Sequence, residues 1–176
     1  MPNQRLTDKT ALTEQVGSGD LLMVVDVNDT TGSSAGTSKK MDFKYLMQTD
    51  KISVSNAEAQ ALDSSPKTLV GALSGYMITV YNVTILCTHN SPNETANKYL
   101  YVGYDSSSNN EYYFAQRAFM NNLSTDTTYS LTGYPGAKGT LAASALNKPF
   151  VMWSSGAFNG GWTADVYVTY AYTKVL

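Results

Sequence analysis

Few residues of this chain have the types and spacing that catalysis or metal binding requires. Cys87 and His89 lie two positions apart, so they would share one face of a strand, but the sequence contains one cysteine and one histidine in all. Two ligands do not complete a zinc site. A nucleophilic site at His89 would need a serine or cysteine motif beside it, and the neighbouring sequence has none. The sequence therefore predicts a protein that is not an enzyme and has no metal site or cofactor.

Two polar segments carry part of the pattern of an ion-binding loop. Residues 26–31 begin like a calcium loop, but threonines stand in place of the fifth ligand, the invariant glycine and the bidentate glutamate. Residues 32–36 contain two glycines, but their spacing is too short for a phosphate loop and no lysine follows them. Both segments are predicted to be polar loops without a ligand.

Three large aromatic residues lie close to a glycine-rich turn near the C-terminus. Trp153, Phe158 and Trp162 flank the tight-turn sequence Asn159-Gly160-Gly161. Aromatic rings at an exposed tip could stack on a sugar or pack on a neighbouring subunit. The alternative interpretation is ordinary packing in the protein core, and the sequence leaves both open.

Composition excludes several classes of partner. Lys and Arg number 12 against 14 Asp and Glu, so no basic face for nucleic acid is expected. No apolar run reaches 18 residues, so no membrane span is expected, and the N-terminus has no apolar segment of a secretory signal. One cysteine fits synthesis in a reducing cytosol. Thirteen tyrosines and low charge are nevertheless typical of an all-β protein with an extracellular type of surface.

Residues 51–176 are predicted to form one all-β domain. Short apolar runs alternate with turn sequences roughly every 8–12 residues, and a capping box at Ser55 to Glu58 predicts a short helix ending near Leu62. This pattern predicts a two-sheet, jelly-roll-like β-sandwich. The predicted strands are 52–55, 68–70, 76–88, 99–104, 112–120, 127–132, 149–153 and 165–174.

The longest of these strands, 76–88, has apolar residues at both odd and even positions. Ile78 and Val80 would face one side of a regular strand, whereas Val83 and Ile85 would face the other. One prediction is a bend or bulge in the strand. Another is a second apolar face, which a subunit interface would have to cover.

Residues 1–50 are predicted to form a separate N-terminal segment. Leu21 to Val27 is a nearly continuous apolar strand, residues 28–38 are a polar loop, a second strand begins at Met41, and residues 43–47 resemble a helical turn. Such a unit is too small to bury a core of its own. It should therefore order against another protein surface. The residues expected to make that contact are Leu21, Met23, Val25, Val27, Met41 and Phe43.

The same segment resembles one found at the N-termini of many bacteriophage tail-fibre, head-fibre and other virion appendage proteins. The resemblance covers about a quarter of the chain and lies in an ordered series of short motifs. These motifs are Leu12-Thr13, Asp20-Leu21, Val25-Asp26-Val27, Asp29-Thr30-Thr31, Gly36-Thr37-Ser38-Lys39-Lys40 and the apolar stretch from Met41 to Leu46. In such proteins the segment usually lies at the end attached to the virion, which implies an anchor.

The second domain is also similar to phage structural proteins of head-fibre or decoration type. The motifs that carry this similarity are Ala59-Gln60-Ala61-Leu62, Ser65-Pro66, Thr68-Leu69-Val70, Leu100-Tyr101-Val102-Gly103-Tyr104 and Val166-Tyr167-Val168-Thr169-Tyr170. Together the resemblances imply a protein made in the host cytoplasm and located at the virion surface, with a capsid or other virion protein as partner. They also imply a homotrimer. A chain without a fibre shaft fits a head fibre or decoration protein, and the alternative is a tail-borne knob that binds a receptor or host-surface glycan.

Overall fold

A computed structural model of the chain describes residues 21–42, 46–104, 112–131 and 145–174. The chain divides into two compact units, Met1–Tyr45 and Leu46–Leu176, so the division falls earlier in the chain than residue 50. Among the described residues, no helix has the length and apolar character of a membrane span.

The first unit contains a two-stranded antiparallel sheet. Its strands are β1, Leu21–Asp26, and β2, Thr37–Asp42. The second strand begins earlier than predicted, because Thr37 and Ser38 pair with Asp26 and Val25 although neither is apolar. The predicted helical turn at residues 43–47 falls mostly outside the described residues.

Among its described residues, the second unit contains eight strands and one short helix. The strands lie close to the predicted ones, although the first and last begin four residues earlier than predicted. Their bounds are β3 Gln48–Val54, β4 Lys67–Val70, β5 Tyr76–Asn90, β6 Leu100–Gly103, β7 Tyr112–Gln116, β8 Thr127–Leu131, β9 Phe150–Ser154 and β10 Gly161–Lys174, with helix α1 at Asn56–Gln60.

The strand order is that of a jelly roll. One four-stranded sheet has the order β3-β10-β5-β8, and the other has the order β4-β9-β6-β7. Every pairing within the two sheets is antiparallel. Counted from β3, successive strands lie in alternate sheets, except that β6 and β7 are neighbours in one sheet. This is the double-sheet arrangement of eight-stranded jelly rolls. The predicted all-β sandwich is confirmed.

The core lies between the inner faces of these two sheets. β10 and β5 contribute fully buried valines and isoleucines, including Val166, Val168 and Ile85. Phe150 and Met152 of β9 are buried in the same cluster from the opposite sheet. Along most of β10, alternate residues are buried, as expected for a sandwich of two antiparallel sheets.

A β-bulge in β5 accounts for its apolar residues at odd and even positions. Thr169 of β10 pairs with Asn82, but the next residue, Tyr170, pairs with Val80, so Tyr81 is the extra residue. The bulge reverses the inward parity of the strand. Ile78 and Val80 before it, and Val83, Ile85 and Cys87 after it, are all buried in one core. The predicted bulge is confirmed, and the predicted second apolar face is wrong.

Strand β7 is shorter than predicted because its last residues turn into the core. It ends at Gln116, and Ala118 and Met120 adopt positive φ angles of 51° and 58°. The Phe119 amide donates to the Lys98 carbonyl at 3.1 Å. This turn buries the side chains of Phe119 and Met120, which a continuous strand would have placed on opposite faces.

The predicted capping box fixes the start of helix α1. The Glu58 amide donates to Ser55 Oγ, and the Ser55 amide donates to the Glu58 carboxylate. Lys67, at the start of β4, donates to the same carboxylate at 2.5 Å. Lys67 and the Ser55 donors lower the pKa of Glu58 to about 2. The helix therefore attaches to both sheets, because Ser55 follows β3 directly.

A buried carboxylate joins the turn before β6 to the turn before β10. Glu94 is buried, and its side chain accepts hydrogen bonds from the amides of Ala96, Asn159 and Gly160 at 2.6, 2.9 and 2.8 Å. A Cβ added to Gly160 would lie 2.6 Å from the Glu94 backbone, so only glycine fits there. These bonds hold the Asn159-Gly160-Gly161 turn against the body of the sandwich.

Replacing Glu94 with glutamine is expected to destabilise the second unit by roughly 1–3 kcal/mol, because an amide NH₂ would face backbone donors inside the protein. The free energy of unfolding in urea measures this. Asp63→Asn makes the same chemical change at an exposed position and should shift the value by less than about 0.5 kcal/mol. Equal stability of E94Q and wild type would contradict the role given to the carboxylate.

Deleting Tyr81 should leave a folded protein, because the deletion removes the bulge and keeps all buried β5 residues facing inward. Deleting Thr84 in the same strand should strongly destabilise the fold. Either Ile85 and Cys87 turn to the solvent face, or the bulge is lost and Asn82 replaces Val83 in the core. Thermal unfolding followed by near-ultraviolet circular dichroism compares the two variants. The bulge assignment fails if both deletions behave alike.

Candidate functional site

The hairpin formed by β1 and β2 has two faces of different character. Its register places Met23 opposite Lys40 and Val25 opposite Ser38 on one face. The other face carries Leu22 and Val24 of β1, with Met41 and Lys39 of β2 opposite them. β1 is therefore apolar on both faces, while β2 is mainly polar.

The apolar side chains of this hairpin are unusually exposed. Met23 is 74% exposed, Val25 57% and Val27 68%, and Leu22 is exposed as well. Seven large hydrophobic residues are exposed in the described part of the chain, and these four are among them. Because exposed apolar clusters of this kind usually mark an interaction surface, the hairpin is the candidate functional site.

The loop between the strands is held by side chains that the sequence motif contains. Asp29 accepts from the amide and the hydroxyl of Thr31 at 3.0 and 2.6 Å, and it forms an ion pair with Lys39. Lys39 and then Thr31 lower the pKa of Asp29 to about 2. Thr37 Oγ1 accepts from the Gly32 amide at 2.8 Å. The Asp-Thr-Thr and Thr-x-Lys motifs thus close one loop.

Gly36 is required where the chain returns into β2. Its φ angle is +117°, a conformation that L side chains rarely adopt. An added Cβ would lie 2.7 Å from the Asp26 carbonyl oxygen and 2.8 Å from Val25 Cγ1. The glycine of the Gly-Thr motif therefore permits a close approach of the loop to the end of β1.

The structure distributes the predicted anchoring residues unevenly. Met23 and Val25 share one face and are exposed, and Val27 follows the end of β1. Met41 is half-buried on the opposite face. Leu21 pairs through its backbone with Asp42, but its side chain, like the whole of Phe43, lies outside what the structure describes. Sequence reasoning missed Lys40, whose position opposite Met23 follows only from the strand register.

The aromatic residues near the C-terminal turn do not form an exposed tip. Trp153, Phe158 and Trp162 are 5%, 3% and 1% exposed. Phe158 and Trp162 meet edge to face at 5.3 Å, and both rings also contact Phe119. Trp153 stacks on Tyr101 instead, at 5.4 Å. The interpretation of these residues as an exposed tip is wrong, because Glu94 holds the turn between Phe158 and Trp162 against the sandwich. The alternative interpretation, packing inside the protein, applies to all three.

Cys87 and His89 lie at the end of β5 as the spacing predicts. Burial and then the nearby charge of Asp126 raise the pKa of the Cys87 thiol to about 12, so the thiol stays protonated at neutral pH. His89 Nε2 lies 2.9 Å from Asn93 Oδ1. Among the described residues, no three His, Cys, Asp or Glu side chains are grouped so that they could hold a metal ion.

An open cleft of about 320 Å³ lies on the jelly roll between the end of β3, helix α1 and β10. Hydroxyl groups and two carboxylates line it. Both carboxylates are paired, since Glu58 binds Lys67 and Asp165 binds Lys51. The lining residues are Ser53, Val54, Ser55, Glu58, Thr88, Thr163, Ala164 and Asp165.

No protein-family model matches the chain, and no curated protein matches it. Among solved structures it is similar to a chain of the cyanophage Pam1 capsid asymmetric unit, with 14% identity over 98% of this chain and 99% of that chain and a TM-score of 0.41. It is also similar to the PRD1 vertex protein P5, with 16% identity over 70% and 96% of the two chains and a TM-score of 0.39. A chain of Israel acute paralysis virus matches with 10% identity over 96% and 97% and a TM-score of 0.33. Likenesses of this strength do not bear on function.

Proposed function

We propose that the protein is a non-enzymatic structural component of a bacteriophage virion, of head-fibre or capsid-decoration type. The hairpin of β1 and β2 attaches it to a capsid or other virion protein, and the jelly roll is displayed at the virion surface. The observation that carries the proposal is the exposed apolar set Met23, Val25 and Val27. It lies within the segment whose motifs resemble virion anchors.

Energetics favour attachment through the hairpin and also limit its strength. Fully burying a valine or methionine side chain contributes roughly 1.5–3 kcal/mol, so three such residues would contribute roughly 5–9 kcal/mol. Association costs an estimated 4–15 kcal/mol in lost freedom. One hairpin therefore binds weakly unless further contacts form. Several hairpins held together would bind much more strongly through effective concentration.

A homotrimer would supply that multiplicity, and we include it in the proposal. Its support is the resemblance to trimeric appendage proteins and the weak attachment expected of one hairpin. The two-faced strand no longer supports it, since Val80 and Val83 lie in the same core.

The alternative function, a tail-borne knob that binds a host-surface glycan, is less favoured. Sugar-binding sites commonly stack aromatic rings on the ligand, and the three aromatic residues proposed for this role are buried. The polar cleft beside helix α1 has no aromatic residue in its lining. Glycan binding at that cleft, lost in Asp165→Asn, would favour the alternative.

Deleting residues 1–47 should abolish incorporation into virions and leave the jelly roll folded, because all eight of its strands begin at or after Gln48. Virions assembled with tagged full-length or truncated protein can be purified and probed for the tag. The melting temperature of the truncated protein reports its folding. Tyr81→Ser, at an exposed position of the jelly roll, should be incorporated normally. Normal incorporation of the truncated protein would refute the anchor.

The purified full-length protein should have the mass of three chains at micromolar concentration. Multi-angle light scattering after gel filtration measures this, and cross-linking in virion extracts provides an independent measurement. A monomer in both experiments would remove the trimer from the proposal and leave the anchoring role unaffected.

A further inference from the structure

We propose that the edge of β1 opposite β2 accepts a β-strand from another virion protein. This added strand is apolar and carries a carboxylate on the same face of the sheet as Lys40. The inference rests on the proposed function and specifies the chemistry of the anchor's partner. It identifies main-chain pairing along β1, rather than contact with an apolar face alone, as the mode of attachment.

The first argument is the composition of β1. Leu22 and Val24 point to one face and Met23 and Val25 to the other. Strands that are apolar on both faces are typical of the interior of a sheet, where both faces and both edges are covered. Within residues 21–42, however, β1 has β2 on one edge and no strand on the other. The side chains of β1 are those of a central strand, but within residues 21–42 the strand lies at the edge of its sheet.

The second argument is the difference between the two edges of the hairpin. β2 carries Lys39 and Lys40, and lysines on an edge strand discourage the addition of another chain. β1 contains neither lysine nor proline, and its sequence is Leu-Leu-Met-Val-Val-Asp. Within residues 21–42 the hairpin therefore has one edge that lysines protect and one edge without such protection, and the second belongs to the apolar strand.

The third argument concerns sheet size. A two-stranded sheet is marginally stable in water, and three or more strands with a covered apolar face are needed for independent stability. A strand added to β1 would make it the central strand of three. It would satisfy the outward N–H and C=O groups of β1 and cover part of Met23 and Val25.

Charge defines the partner further. Lys39 is paired with Asp29, whereas Lys40 is exposed and forms no ion pair within the described part of the chain. Lys40 lies on the face of Met23 and Val25. A strand added to β1 would lie about 10 Å from β2. A lysine and a glutamate side chain together span that distance, so a carboxylate on the added strand complements Lys40.

A second copy of the hairpin fits this edge less well. Pairing β1 with β1 of another copy is a two-fold arrangement, which cannot serve the three chains of a homotrimer alike. It would also leave Lys40 of each copy without a carboxylate on its face. The observations therefore favour a strand from a different protein.

Residue-resolved hydrogen exchange of the full-length protein tests the proposal directly. The protein is compared free and bound to purified particles that lack it. On binding, alternate amides of β1, those pointing away from β2, should exchange at least about tenfold more slowly. The outward amides of β2 should be unchanged.

Each other outcome has a defined meaning. Slow exchange of the outward β1 amides in the free protein would overturn the proposal. If that protection rises with protein concentration, a second copy occupies the edge. If it does not, residues 1–20 of the same chain occupy it. Binding without any change in the β1 amides would also overturn it, yet leave the proposed function standing. Failure of the full-length protein to bind the particles at all would count against the proposed function itself.

A charge reversal gives a second readout. Lys40→Glu should weaken binding to the particles about tenfold, which corresponds to about 1.4 kcal/mol. Lys174→Glu makes the same change at an exposed position at the end of β10 and should have no effect. Equal binding of the two variants would contradict the predicted carboxylate.

Discussion

The antiparallel pairing of β5 with β10 is the interaction on which the rest of the jelly roll depends. These are the two longest strands, and they pair from Gly161 and Asn90 at one end to Lys174 and Tyr76 at the other. β3 and β8 add to their outer edges. The pair also supplies the inward valines and isoleucines against which the second sheet packs. In this sequence the bulge at Tyr81 keeps both ends of β5 in the core, because without that offset Ile78 and Val80 could not face the same side as Val83 and Ile85.

The same pairing explains how the ends of the sandwich are closed. It brings Gly161 to Asn90, so the turns next to these residues must approach each other closely. The side chain of Glu94 lies between these turns, and its oxygen atoms accept hydrogen bonds from backbone amides. Trp162 and Phe158 then point into the core beside Phe119. A buried acidic side chain is tolerated here because three backbone N–H donors replace the water it loses.

Local sequence patterns predicted most of the strands, the capping box of α1 and the bulge, because each depends on residues near one another in the chain. The features that were missed depend on distant partners. The aromatic residues around Gly160 have the composition of an exposed tip, and only Glu94, 66 residues away from Gly160, shows that the turn folds inward. Similarly, the motif locates the hairpin, but the pairing of Lys40 with Met23 needs the register of two strands.

The two units of the chain differ in how much of their apolar surface is exposed. Among its described residues, the jelly roll buries most of its large apolar side chains, and Met47, Tyr81 and Leu86 of the second unit are the exposed ones. The hairpin exposes Met23, Val25 and Val27, which a monomeric protein rarely retains without a use, because such residues favour aggregation. Within residues 21–42, two lysines on β2 and an ion-paired loop reduce that risk on the side of β2. An apolar strand that is costly to expose, beside a second strand that carries lysines, is the arrangement on which the proposed docking rests.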